Sequence, residues 1–85
     1  MPSAEDLFER MQRSKVGWRF KDLDTLYRGF GFECREGAKH ALYIHPNFPE
    51  LITTVGRHRS LPIGYINDAI KLIKRLKEKE AESNG

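Results

Sequence analysis

The chain has a single cysteine, Cys34, in 85 residues. No intrachain disulfide can form, so the secreted disulfide-scaffold class is excluded. No apolar run approaches the ~20 residues that cross a bilayer, and no membrane association is expected. The first residues carry Glu5, Asp6 and Glu9 in place of the apolar core of a signal peptide, so the expected compartment is the cytoplasm. No phosphate-loop motif occurs. Gly29-x-Gly31 meets Cys34 where a dinucleotide fingerprint needs its third glycine, and it precedes a strand instead of opening a helix. Asp22 and Asp24, two apart on a helix, do not face each other, so they make a poor metal pair and read as helix N-terminal charges. The sequence implies no metal and no cofactor. There is also no polybasic tail: the net charge of +3 is spread evenly along the chain, which permits contact with nucleic acid without establishing it.

Apolar residues make up 39% of the chain and aromatics 11%. That suffices for one small core and one domain, residues 1–85. A chain this short buries roughly 60–65% of its unfolded surface. Its site is expected to be a shallow surface feature that acts on a polymer or is completed by a partner.

Ser3 can cap a helix over residues 3–14, in which Ala4, Leu7, Phe8 and Met11 share one face. Gly17 marks a turn. Leu23, Leu26, Tyr27 and Phe30 repeat the stripe in a second helix over 20–30, which Gly31 stops in a left-handed conformation. The period then changes to two. Strands are predicted over 32–35, 39–45 and 51–55, with a turn at 36–38 and a break at His45-Pro46-Asn47-Phe48-Pro49. Pro62 opens a last helix with a buried stripe of Ile66, Ala69 or Ile70, Ile73 and Leu76, and residues 80–85 are expected to fray. Helices segregated from an antiparallel three-stranded sheet give a two-layer α+β domain, with its helices on one face of the sheet.

The stretch 37–46, Gly-Ala-Lys-His-Ala-Leu-Tyr-Ile-His-Pro, holds the most chemistry. His40 follows a tight turn at the start of a strand, with Lys39 beside it. On the residues alone it reads either as a solvated strand-edge histidine or as a proton carrier. Imidazole exchanges protons near neutral pH, and a neighbouring cation can stabilise a phosphorane-like charge. RNA brings its own nucleophile, the 2′-hydroxyl, so a histidine and a cation can suffice. His45 is of opposite strand parity, which counts against a two-histidine metal site; before Pro46 it reads as a turn-ordering residue. His58, between Arg57 and Arg59, is a phosphate contact, a second proton carrier or a solvated loop residue. A Cys34–His40 nucleophilic pair is conceivable if the two lie opposite each other across the hairpin, although a half-buried thiol is the commoner case. Tyr43, Phe48 and Trp18 can stack bases, but most aromatics of so small a chain serve its core.

The pieces Ala38-Lys39-His40, Leu42-Tyr43-x-His45-Pro46, Thr54-Val55-Gly56-Arg57-His58 and Leu61-Pro62-Ile63-Gly64 occur in this order. Together with 20–23 and the Gly31-Phe32 exit, they resemble the HicA (YcfA-like) family of bacterial toxin–antitoxin ribonucleases over about residues 20–76. Ala38-Lys39 stands where that family has Gly-Ser or Gly-Gly, Gly56 where it often has proline, and residues 1–18 form an N-terminal helical extension. The resemblance implies a double-stranded-RNA-binding-like fold. It also implies a metal-independent endoribonuclease that cleaves mRNA and is silenced by a HicB-type antitoxin. The family's catalytic histidine falls on His40. Lys39, Arg57, His58 and, more distantly, Arg35 are the expected RNA contacts. An acidic antitoxin is expected over His40 and the Arg57–Arg59 loop. The competing readings are a non-catalytic RNA-binding module and a pure protein-interaction domain.

Overall fold

Ser3 caps the first helix as its position predicts: its Oγ accepts the Asp6 N–H at 3.1 Å, and α1 runs Ala4–Arg13. The computed structural model describes residues 3–84, and residue 85, the end of the predicted fraying tail, lies outside them. The chain turns through Gly17, where Trp18 Nε1 donates to the Ser14 carbonyl at 2.7 Å. It then enters α2, Phe20–Gly29. Asp22 Oδ2 accepts the Arg19 N–H at 2.9 Å and so closes the α2 N-terminus. Gly31, at φ +90°, ends the helix in the left-handed region that side chains avoid.

Three strands follow: β1 Glu33–Glu36, β2 His40–Ile44 and β3 Ile52–Gly56. They form one antiparallel sheet in the order β1-β2-β3. The outer strands start a residue later than the alternation predicts, because Phe32 and Leu51 are core anchors that lead into them. The last helix, α3, spans Ile63–Asn84, so the molecule is an α+β domain of three helices and a three-stranded sheet.

The register sets Cys34 beside Tyr43 and Thr53, and Ala41 beside Val55, on the inner face. Glu33, Arg35, His40, Leu42, Ile44, Ile52 and Thr54 have the opposite parity and form the outer face. Leu23, Leu26 and Tyr27 from α2 and Ile66, Ala69, Ile70, Ile73 and Leu76 from α3 are buried with the inner face. Leu7, Phe8 and Met11 are buried in the same cluster, so the core reaches beyond residues 20–76 to include the N-terminal helix.

Two expectations are corrected here. Residues 80–84 are helical instead of frayed. Lys79 pairs with Glu50 at 2.7 Å and lies over the Phe48 ring, and Lys77 pairs with Glu5, so α3 is held where the turns beyond it begin. Asp24 is not an N-terminal charge. It accepts the Tyr43 hydroxyl at 2.6 Å and Arg28 Nε at 2.9 Å, and it ties α2 to β2.

Candidate nucleic-acid interface

The hairpin turn between β1 and β2 is closed by a Gly37 N–H to His40 carbonyl bond of 2.9 Å. This places His40 at the mouth of the hairpin, exposed, with Lys39 exposed before it. Across the sheet its partner is Gly56, which presents no side chain to cover the imidazole. Arg57 fastens this end of the sheet. Its N–H donates to the Lys39 carbonyl at 3.3 Å and its Nε to the Gly37 carbonyl at 3.2 Å. Its guanidinium lies 4.7 Å over the Phe20 ring of α2.

A second tie brings the β3–α3 loop onto the start of α2: the Leu61 N–H donates to the Trp18 carbonyl at 2.9 Å. Between these two segments opens a cleft of about 550 Å³ lined by Arg19, Phe20, Lys21, His58 and Arg59. Its walls are cationic and it includes one aromatic ring. The ion pairs among the described residues use Arg28, Lys77 and Lys79. Arg19, Lys21, Lys39, Arg57 and Arg59 have no carboxylate partner among them. Cations gathered in this way attract a polyanion.

The predicted site residues do not all meet. Lys39, His40, Arg57 and His58 gather at one end of the sheet. Arg35 is on the same outer face but two rungs further along, in the row of Leu42 and Thr54. The Cys34–His40 pair is overturned. Cys34 stands opposite Tyr43 on the inner face, whereas His40 is three residues from Tyr43 and on the outer face. His45 is buried against Phe32 and Phe48, and its Nδ1 accepts the Asn47 N–H at 3.2 Å, so it orders the turn as expected. Among the described residues, no three His, Cys, Asp or Glu side chains gather as a metal-binding set.

Tyr43 is fully buried against Tyr27, and burial followed by its bond to Asp24 pushes its phenol well above the usual range. Phe48, Trp18 and Phe20 pack against the core. The aromatic that reaches the cationic cleft is Phe20, and with Arg19 and Lys21 it was not singled out by the sequence reading. A signal for these residues exists. Between Glu9 and Asp22 the chain has Arg10, Arg13, Lys15, Arg19 and Lys21 and no acid, and between Glu50 and Asp68 it has Arg57 and Arg59 and no acid.

The chain matches no protein-family model, no curated protein and no solved structure. The functional reading therefore rests on the geometry of this face.

Proposed function

We propose that this chain is a toxin-type endoribonuclease of the HicA kind, cutting mRNA at His40 without a metal. The order α2-β1-β2-β3-α3, with helices on one face of the sheet, supports a double-stranded-RNA-binding-like arrangement. The observation that carries the reading is the exposed His40 imidazole, paired across the sheet with Gly56 and flanked by the cations Lys39 and Arg57. Phosphates of the RNA lie along Lys39, Arg57 and the cleft cations Arg19, Lys21 and Arg59. His40 takes the proton of a 2′-hydroxyl, the 2′-oxygen attacks the adjacent phosphorus, and a 2′,3′-cyclic phosphate forms. Lys39 lies next to the charge that develops. An acidic HicB-type antitoxin over His40 and the Arg57–Arg59 loop competes for the charges that hold RNA.

One observation favours a second reading, a non-catalytic RNA-binding module. No side-chain hydrogen bond orients the His40 ring among the described residues. The two readings separate when purified protein is incubated with mRNA, with and without EDTA. The first expects fragments ending in 2′,3′-cyclic phosphate in both tubes. Intact RNA that nevertheless stays bound to the protein sinks the first and supports the second.

A further inference from the structure

Two histidines, His40 and His58, come to one rung of the sheet. The Arg57 N–H to Lys39 carbonyl bond flanks the His40–Gly56 pair and makes it the narrow, non-hydrogen-bonded type. In such a pair the Cα atoms are about 4.5 Å apart and both Cβ positions point to the same side. Gly56 has no Cβ, and the space this leaves is in use. An atom there would lie 2.9 Å from His58 Nε2 and 3.0 Å from the Tyr65 hydroxyl. His58 therefore folds back over the β3 backbone on the side to which His40 projects. The His58 ring rests on Tyr65, with centroids 5.7 Å apart and planes tilted by 46°. His40 and His58 are both exposed.

The groups around them are Lys39 from the hairpin turn, Arg57 and Arg59 from the loop after β3, and the Tyr65 hydroxyl from α3. The hairpin's carboxylate, Glu36, points its Oε1 to Arg28, 3.8 Å away. By strand parity Glu36 also lies on the face opposite to His40.

We infer that His58 donates the proton that a leaving 5′-oxygen needs, with Tyr65 as its positioning residue and Gly56 kept bare so that the donor can reach the scissile phosphate. The inference rests on the endoribonuclease reading of His40. The step balances as follows. The proton of the 2′-hydroxyl goes to neutral His40 and the 2′-oxygen bonds to phosphorus. The bond from phosphorus to the 5′-oxygen breaks, and that oxygen takes the proton of His58. The products are a 2′,3′-cyclic phosphate and a 5′-hydroxyl, and water returns both histidines to their starting forms.

The test uses two oligoribonucleotides, one natural and one with a bridging 5′-phosphorothiolate, whose thiolate leaves without being protonated. A general acid is worth about 10²- to 10⁴-fold. His58→Gln should cut the natural RNA at least about 100-fold more slowly than wild type, yet cut the thiolate substrate within about tenfold of the wild-type rate. His40→Gln should be slow on both. Gly56→Ala, which drives a methyl into His58, should resemble His58→Gln in milder form. Equal slowing of both substrates by His58→Gln, or no slowing of either, overturns the assignment while His40 stands. If the wild-type protein cuts neither substrate, the endoribonuclease reading falls as well.

Discussion

Tyr43 buries its whole ring between Tyr27 and the core, while its hydroxyl reaches Asp24 at 2.6 Å. A buried hydroxyl that donates to a carboxylate is expected to contribute about 1–2 kcal/mol, so Tyr43→Phe should lower stability by that amount at neutral pH. Burial first, and then the bond to Asp24, pushes the Tyr43 phenol up; burial and then Asp68 do the same to Tyr27. The folded protein thus keeps these phenols neutral at pH values where the unfolded chain ionises them. Their contribution is complete below the ordinary tyrosine value of about 10 and is lost as pH rises above it. Denaturant melts between pH 9 and 11.5 should show stability falling with pH. In Tyr43→Phe the fall should be shallower by up to about 1.4 kcal/mol per pH unit. An identical slope in the variant contradicts this account. At the residue scale the sequence made the turn role of His45 and the exposure of His40 legible, because strand parity separates them. It did not reveal the role of Asp24, whose partner Tyr43 lies nineteen residues away. Nor did it settle Cys34, whose position relative to His40 depends on a hairpin register that no local pattern fixes.

Gly29 in the last turn of α2 weakens the helix by propensity alone, and an alanine there ought to gain up to about 1 kcal/mol. Packing reverses that sign. A Cβ at Gly29 would collide with the Ala4 Cβ, where the start of α1 crosses the end of α2. Gly29→Ala should therefore destabilise by about 1–3 kcal/mol. The double variant Ala4→Gly, Gly29→Ala should recover most of the loss. Thermal melts of the three variants decide it, and a Gly29→Ala protein more stable than wild type would show that the helices are free to separate. The same distinction marks what could be read of the elements. Ser3, Gly31 and Pro62 act through neighbours in the chain, so caps and stops were visible. The persistence of α3 to Asn84 depends on Glu5 and Glu50, far away in sequence, and was not.

At the scale of the whole molecule, the ion pairs among the described residues join Glu5, Glu50, Asp24 and Glu36 to Lys77, Lys79 and Arg28, and Arg19, Lys21, Lys39, Arg57 and Arg59 are among the cations they leave unpaired. The cleft lies where one backbone contact, Leu61 to Trp18, joins two segments far apart in the chain, which is why Arg19, Phe20 and Lys21 were not expected as site residues although the acid-free stretches were there to see. RNA held by these cations should bind with a strong salt dependence. Removing three of them, Arg19→Gln, Lys21→Gln and Arg59→Gln together, should lower the log–log salt slope by about 2. Fluorescence anisotropy with a single-stranded RNA at several ionic strengths gives the slope directly, and an unchanged slope places the RNA elsewhere. The most direct measurement of the central claim is RNA cleavage by His40→Ala beside the wild-type protein, with the two melting curves overlaid. His40 is exposed at a strand start, so its loss should change stability by no more than about 0.5 kcal/mol. The account predicts matched melts and an abolished cleavage rate; a folded His40→Ala protein that cuts RNA at the wild-type rate would contradict it.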